Sequence, residues 1–235
     1  MQIRELREWE ERFCREIERK LGELECVDAS HDLAHVKRVV QTAQRLSQTE
    51  GGELWVVTPA AWFHDYVVIP KHDARRAQAS QLSAKEALEF LSQVGYPSRY
   101  FSSIAHAIEA HSFSAQIECK TLEAGIVQDA DRLDALGAIG LARLFNTSGQ
   151  MGSQLYEVSD PFAQQRALND RRFAVDHIFK KLYPMVSTFQ TTGGRREGEL
   201  RRKFLEGFIQ QLSEELRGEV TGLREEVLSQ GQEKV

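Results

Sequence analysis

The sequence predicts an all-α fold, a single domain of roughly eight to ten helices, and three observations carry that expectation. Apolar residues recur at spacings of three and four through almost every segment. No segment shows a convincing alternating strand pattern. Helix-start and helix-stop residues punctuate the periodic segments at short intervals. Of the 235 residues, 41% are hydrophobic and 28% charged, which suits a globular chain with a real core.

In chain order, Ile3, Leu6, Trp9, Phe13, Ile17 and Leu21 mark an amphipathic helix over 3–21. Asp28-Ala29-Ser30 starts a second helix with Ser30 as N-cap, and its stripe is Leu33, Val36, Val39, Val40, Ala43 and Leu46. That helix runs to about Gln48, and Gly51-Gly52 end it. Thr58-Pro59 opens a third, a cap followed by proline at the first helical position. Val67 to Pro70 reads as extended, and a mostly basic loop from Lys71 to Arg76 follows. Ser83 to Val94 is helical, Gly95-Tyr96-Pro97 is a stop and turn, and Ser98 to His111 is helical again. Leu122 to Asn146 is apolar and rich in small residues that permit close helix approach. Residues 147–169 read as loop, 170–190 as helix, Thr191 to Gly194 as a break and Arg195 to Glu219 as a final helix.

Composition narrows the function. A net charge of -5 offers no basic footprint for nucleic acid. No apolar run approaches the ~18 residues of a membrane span. The charged stretch Met1 to Arg7 lacks the apolar core of a signal segment. Cys14, Cys26 and Cys119 form neither a disulfide framework nor a metal knuckle, so the expected setting is a reducing cytoplasm. No GxxxxGK[ST] loop is present, which argues against motor-type γ-phosphate hydrolysis.

The chemistry is concentrated at few places. His64-Asp65 directly follow the apolar run Ala61-Trp62-Phe63. Burying such a pair without partners costs roughly 2–7 kcal/mol, a cost that a bound divalent cation would offset. The second helix carries Asp32, and His31, His35 and Arg38 share one of its sides. His106, Glu109 and His111 lie on the fifth helix; the helix dipole accounts for His111 but not for His106. Asp129, Asp131 and Asp134 interrupt an apolar segment. If that segment is helical, Asp131 and Asp134 share a face, whereas Asp129 and Asp131 diverge by roughly 200°. At most one of the latter pair then looks into a site. Lys71 and Arg75 would donate to phosphate if the basic loop faces that site.

The stretches SHDLAHVKRV, WFHDY, HAIEAHSFS and QDADRLDALGAIGLAR, spread over roughly residues 28–145, resemble in order and context the HD-domain superfamily of metal-dependent phosphohydrolases. Residues 160–181 and the helix after them are similar to the C-terminal extension of a bacterial subgroup that resembles nucleotide pyrophosphohydrolases. The resemblance implies an HD-domain helical bundle, a single domain with a C-terminal helical extension. Residues 1–27 would pack a helix on the core, 28–146 would form the metal-binding core, 147–222 the extension and 223–235 a polar tail.

It also implies metal ligation by His35, His64, Asp65 and Asp131. Asp131 is preferred to Asp129 because the family's last ligand precedes a basic residue and leucine, as in Asp131-Arg132-Leu133. The implied ion is Mn2+ or Mg2+, with Zn, Ni or Fe as alternatives. Asp65 or Asp32 would accept the proton. Arg38, Lys71, Arg75, His106 and His111 would contact substrate, the two histidines alternatively a second ion. The implied partner is a small-molecule nucleotide, with no nucleic acid and no membrane; the oligomeric state stays open, a homodimer being one option. The implied reaction is hydrolysis of a (deoxy)nucleoside triphosphate to monophosphate and pyrophosphate. Alternatives are a nucleotidase or phosphodiesterase on another phosphorylated small molecule, a di-iron oxygenase, or a non-catalytic metal- or nucleotide-binding regulator. Gly95-Tyr96-Pro97 spells the signature of the cyclic-di-nucleotide branch, but Phe90 to Val94 lack that branch's histidines and glutamate, so the tripeptide reads as a helix stop.

Overall fold

The computed structural model of the protein describes residues 2–23, 32–69 and 73–217. Among them are ten α-helical segments, one isolated β-bridge (Gln154 with Phe173) and no strand. The segments are α1 (Gln2–Gly22), α2 (Leu33–Glu50), α3 (Leu54–Phe63), α4 (Ala79–Gln93), α5 (Phe101–His111), α6 (Leu122–Asp134), α7 (Gly137–Gln150), α8 (Ala174–His177), α9 (Tyr183–Met185) and α10 (Thr192–Arg217). The fold is all-α and forms one domain. Ser30, His31, Cys26, Lys71 and the tail from 223 lie outside the described residues.

The centre of the bundle is α3. Trp55 through Phe63 are all buried, and a helix that is apolar on every side belongs inside a core. It packs against α2, α5 and α6, while α1 covers it from outside. Phe13 of α1 meets Phe63 edge to face at 5.1 Å.

Several boundaries differ from the sequence reading, each for a local reason. α3 begins at Leu54 rather than after Thr58, because the Glu53 side chain caps the amide of Trp55 at 3.1 Å. Pro59 therefore lies inside the helix, where it cannot donate to the Trp55 carbonyl four residues back. The hydroxyl of buried Tyr96 donates to that carbonyl at 2.7 Å. Gly95-Tyr96-Pro97 is thus a turn, with Gly95 at φ 79°, that also repairs the proline defect in the central helix. The N-cap of α2 is Asp32, not Ser30.

The apolar segment 122–146 is two helices. Gly137 turns the chain at φ 69°, and Gly140 lies so close to the Ala135 carbonyl that a Cβ there would overlap it. The expected helix over 170–190 begins at Ala174 and runs through α8, a π-helical turn at Ile178–Leu182, α9 and a 3₁₀ turn at Val186–Thr188. The widened turn ends two residues before Pro184, which supplies no amide proton.

Gly193 and Gly194 do not break the chain but form the first turn of α10. Asp129 explains this. Its carboxylate accepts from the amides of Gln190 (2.8 Å) and Thr191 (2.7 Å) and from the Thr191 hydroxyl (2.8 Å). Thr191 Oγ1 in turn accepts from the Gly194 amide at 2.9 Å. Any side chain at Gly194 would overlap the Asp129 carboxylate.

Candidate metal centre

The ends of three helices and the last turns of a fourth converge beside α3. His35 lies in the first turn of α2, His64 and Asp65 follow the last residue of α3, His111 ends α5, and Asp131 lies on α6. His35, His64 and His111 are buried. His35 Nε2 stands 3.3 Å from His64 Nε2 and 3.6 Å from Asp131 Oδ1. His64 Nε2 stands 3.4 Å from Asp65 Oδ2 and 3.9 Å from Asp131 Oδ1. Asp65 Oδ2 is 4.0 Å from His35 Nε2, and Asp65 Oδ1 is 3.5 Å from His111 Nε2.

The hydrogen bonds fix the tautomers. His64 Nδ1 donates to the Ala61 carbonyl at 2.8 Å, and a carbonyl can only accept. His35 Nδ1 donates to the Asp134 carboxylate, also at 2.8 Å. In the neutral rings both Nε2 atoms therefore carry lone pairs. Burial keeps His64 neutral, pushing its pKa down to about 4. Two imidazole lone pairs and two carboxylates thus face one small volume, an arrangement that suits a cation. Ligand atoms about 2.1 Å from an ion stand roughly 3.0–3.4 Å apart, close to the shorter separations here. Atoms of His35, His64 and Asp131 all lie within 4.8 Å of one another, a cluster able to hold a divalent metal.

Asp134 has a role that sequence reasoning missed. Besides His35 it accepts from Arg38 Nε (2.7 Å) and Arg143 Nη1 (2.6 Å), so it both orients His35 and gathers two guanidinium groups. Burial alone would raise its pKa, but the bonds from His35 and Arg38 and the charge of Arg143 hold it well below the usual carboxylate range. The signal was its place one helical turn after Asp131. At His111, burial disfavours charge, yet the neighbouring Asp65 outweighs this and the pKa is raised.

Asp65, His111 and Asp131 open into a cleft of about 820 Å³. Arg76, Arg132, Arg143 and Arg171 line it, and the segment after α7 adds Asp170 and His177. Burial pushes the pKa of Arg132 down from its ordinary value.

The other sequence candidates fall elsewhere. Asp32 Oδ1 accepts the His35 amide at 2.7 Å, so this carboxylate serves as a helix cap. Arg38 is held by Asp134. Arg75 is exposed and turns onto Asp73 at 2.8 Å; its neighbour Arg76, one residue further round the 3₁₀ turn, lines the cleft instead. His106 accepts the Lys120 amide at 3.0 Å and does not line the cleft. Asp129 points to the start of α10, as its divergence from Asp131 requires. Arg143, Arg171 and His177 join the cleft only through the α6–α7 break and the return of the C-terminal segment, which no local periodicity announces.

An all-α bundle whose helix ends gather two buried histidines and two aspartates, with the aspartates opening into a cleft, defines the HD type of metal-binding fold. The HD domain model matches residues 32–136, the span that carries the whole cluster. The uncharacterized protein YpgQ of Bacillus subtilis (strain 168) is 31% identical over 194 residues, 81% of this chain and 86% of its own. The chain belongs to the HD-domain family. Among solved structures, Bacillus subtilis YpgQ in complex with ADP aligns with a TM-score of 0.66 and 28% identity, covering 89% of this chain and 98% of that one. An HD-superfamily hydrolase from Bacillus thuringiensis aligns with a TM-score of 0.70 and 27% identity, covering 90% and 98%. No helix among the described residues is long and apolar enough to cross a membrane.

Proposed function

We propose that this protein is a metal-dependent phosphohydrolase that converts (deoxy)nucleoside triphosphates to monophosphate and pyrophosphate. The observation that carries the reading is the convergence of two buried imidazole lone pairs with two carboxylates that open into an arginine-lined cleft. The cleft volume lies within the roughly 300–1,000 Å³ of small-molecule sites. ADP bound to YpgQ supports a nucleotide as the ligand class.

His35, His64, Asp65 and Asp131 would hold the ion, Mn2+ or Mg2+. When bound, such an ion lowers the pKa of a coordinated water and polarises a phosphoryl oxygen. The chain's own groups supply the rest. Asp134 keeps the proton on His35 Nδ1 and so leaves Nε2 free to ligate. Asp65 is the proton acceptor of this reading: it stands in the cluster with His111 beside it, whereas Asp32 is occupied as a cap. Cationic cleft walls neutralise the polyphosphate. Pyrophosphate departs as a stable anion, so cleavage between the α and β phosphorus atoms needs no strong general acid.

The test is incubation with a nucleoside triphosphate panel and manganese, reading free phosphate with and without added pyrophosphatase. Phosphate appearing only with pyrophosphatase, together with monophosphate by chromatography, is expected. His64→Ala should lose both bound metal and turnover while keeping its helical content. Direct phosphate release from monophosphates, with triphosphates untouched, would replace this reading with a nucleotidase.

A further inference from the structure

We infer that Arg132 is the substrate-binding cation of the cleft, the residue whose guanidinium directly grips phosphate oxygens held beside Asp131. The inference rests on the nucleotide reading above and deepens it by assigning the anion's recognition to one residue.

Arg132 follows Asp131 on α6 and lies three residues after Asp129. Its side chain therefore leaves the helix on the side of the 188–191 segment. It reaches that segment, where Nη1 donates to the Thr188 carbonyl at 2.7 Å, and it also lines the cleft. A guanidinium has five N–H donors. Among the described residues no carboxylate stands within ion-pair distance of this one.

Its neighbours differ. Arg38 and Arg143 share the one carboxylate of Asp134 as ion-pair partner, while Arg75 pairs with Asp73 and Arg166 with Asp176. Arg171 is exposed, where water screens its charge. Arg76 is half-buried and donates to the Ile69 carbonyl, but it comes from the turn before α4 and not from a ligand-bearing helix. Arg132 is thus a half-buried cation that makes no ion pair among the described residues, with the charges of Asp131 and Asp129 acting on it only from further off, on the same helix as Asp131 and open to the cleft. Such a group is costly unless an anion completes it. The planar fork of a guanidinium matches two phosphate oxygens, which a lysine ammonium cannot do.

The experiment uses the full chain with manganese and titrates two probes, ADP and inorganic pyrophosphate, by calorimetry. Arg132→Met should weaken both by roughly 10- to 100-fold, the usual effect of losing charge-assisted hydrogen bonds. Arg132→Lys, which keeps the charge but not the fork, should fall in between, and it carries the test should the neutral variant fail to fold. The melting temperature of ligand-free Arg132→Met should hold or rise, since a half-buried cation without an ion pair is removed. A purely structural tether to Thr188 makes the opposite forecast: a lower melting temperature with unchanged affinity for both probes. Wild-type affinity in both variants overturns the assignment and leaves the proposed function standing. A wild-type protein that binds neither ADP nor pyrophosphate overturns both.

Discussion

Replacing Asp134 with Asn tests whether this carboxylate holds the metal centre together. The buried carboxylate accepts from His35 Nδ1 at 2.8 Å, from Arg38 Nε at 2.7 Å and Nη2 at 2.9 Å, and from Arg143 Nη1 at 2.6 Å. Asparagine keeps one acceptor oxygen and turns an NH2 group toward donors, so at least one cation loses its partner. Breaking a buried ion pair from one side costs about 3–5 kcal/mol. For a domain of this length each kcal/mol is worth roughly 2–4 °C, so the melting temperature should fall by roughly 6–20 °C. His35 also loses the acceptor that fixes its tautomer, and metal affinity should drop about 10- to 100-fold. Acid adds a check on sign. A carboxyl whose folded pKa is depressed contributes stability above its unfolded pKa of about 3.9 and loses it as pH falls further. The variant should lack that share of acid sensitivity. Thermal unfolding from neutral pH to pH 3, with metal titration at neutral pH, reads all three quantities. An Asp134→Asn variant with wild-type melting temperature and wild-type metal affinity would refute the reasoning.

Other outcomes follow from the same geometry. Asp131→Asn should abolish activity and metal retention with little loss of stability, while Asp129→Asn should lower the melting temperature through the start of α10 and cost far less activity; the reverse ranking would show the register misread. Tyr96→Phe leaves the Trp55 carbonyl without its donor and should cost about 1–3 kcal/mol in denaturant unfolding with kcat unchanged, and an unaltered midpoint would remove the proposed repair of Pro59. His64 has a folded pKa of about 4, below its unfolded value, so the unfolded chain takes up the proton first. Chelator-treated protein should therefore lose roughly 3 kcal/mol as pH falls from 7 to 4, and saturating metal should suppress that slope; a flat profile in the chelated protein would contradict a neutral buried His64.

The sequence by itself determined much of this protein. The fold class followed from helical periodicity, because a buried stripe must repeat with the turn of the helix that carries it. The order of His35, His64-Asp65 and Asp131 was legible through the resemblance of their surrounding stretches to the HD-domain superfamily. The divergence of Asp129 from Asp131 followed from helical geometry, and the contacts to α10 agree with it.

What tertiary structure decided are relations between segments far apart in the chain. That Asp134 serves His35 across 99 residues depends on how α2 lies against α6. That Arg76 and not Arg75 lines the cleft depends on the rotation of one short turn. That Tyr96 completes the carbonyl opposite Pro59, and that glycines begin α10 beside Asp129, depend on close approach between helices. The physical reason is common to all of them. Periodicity reports which side of a helix faces inward, but hydrogen-bond partners are chosen by distances of about 3 Å, which only the packed chain fixes.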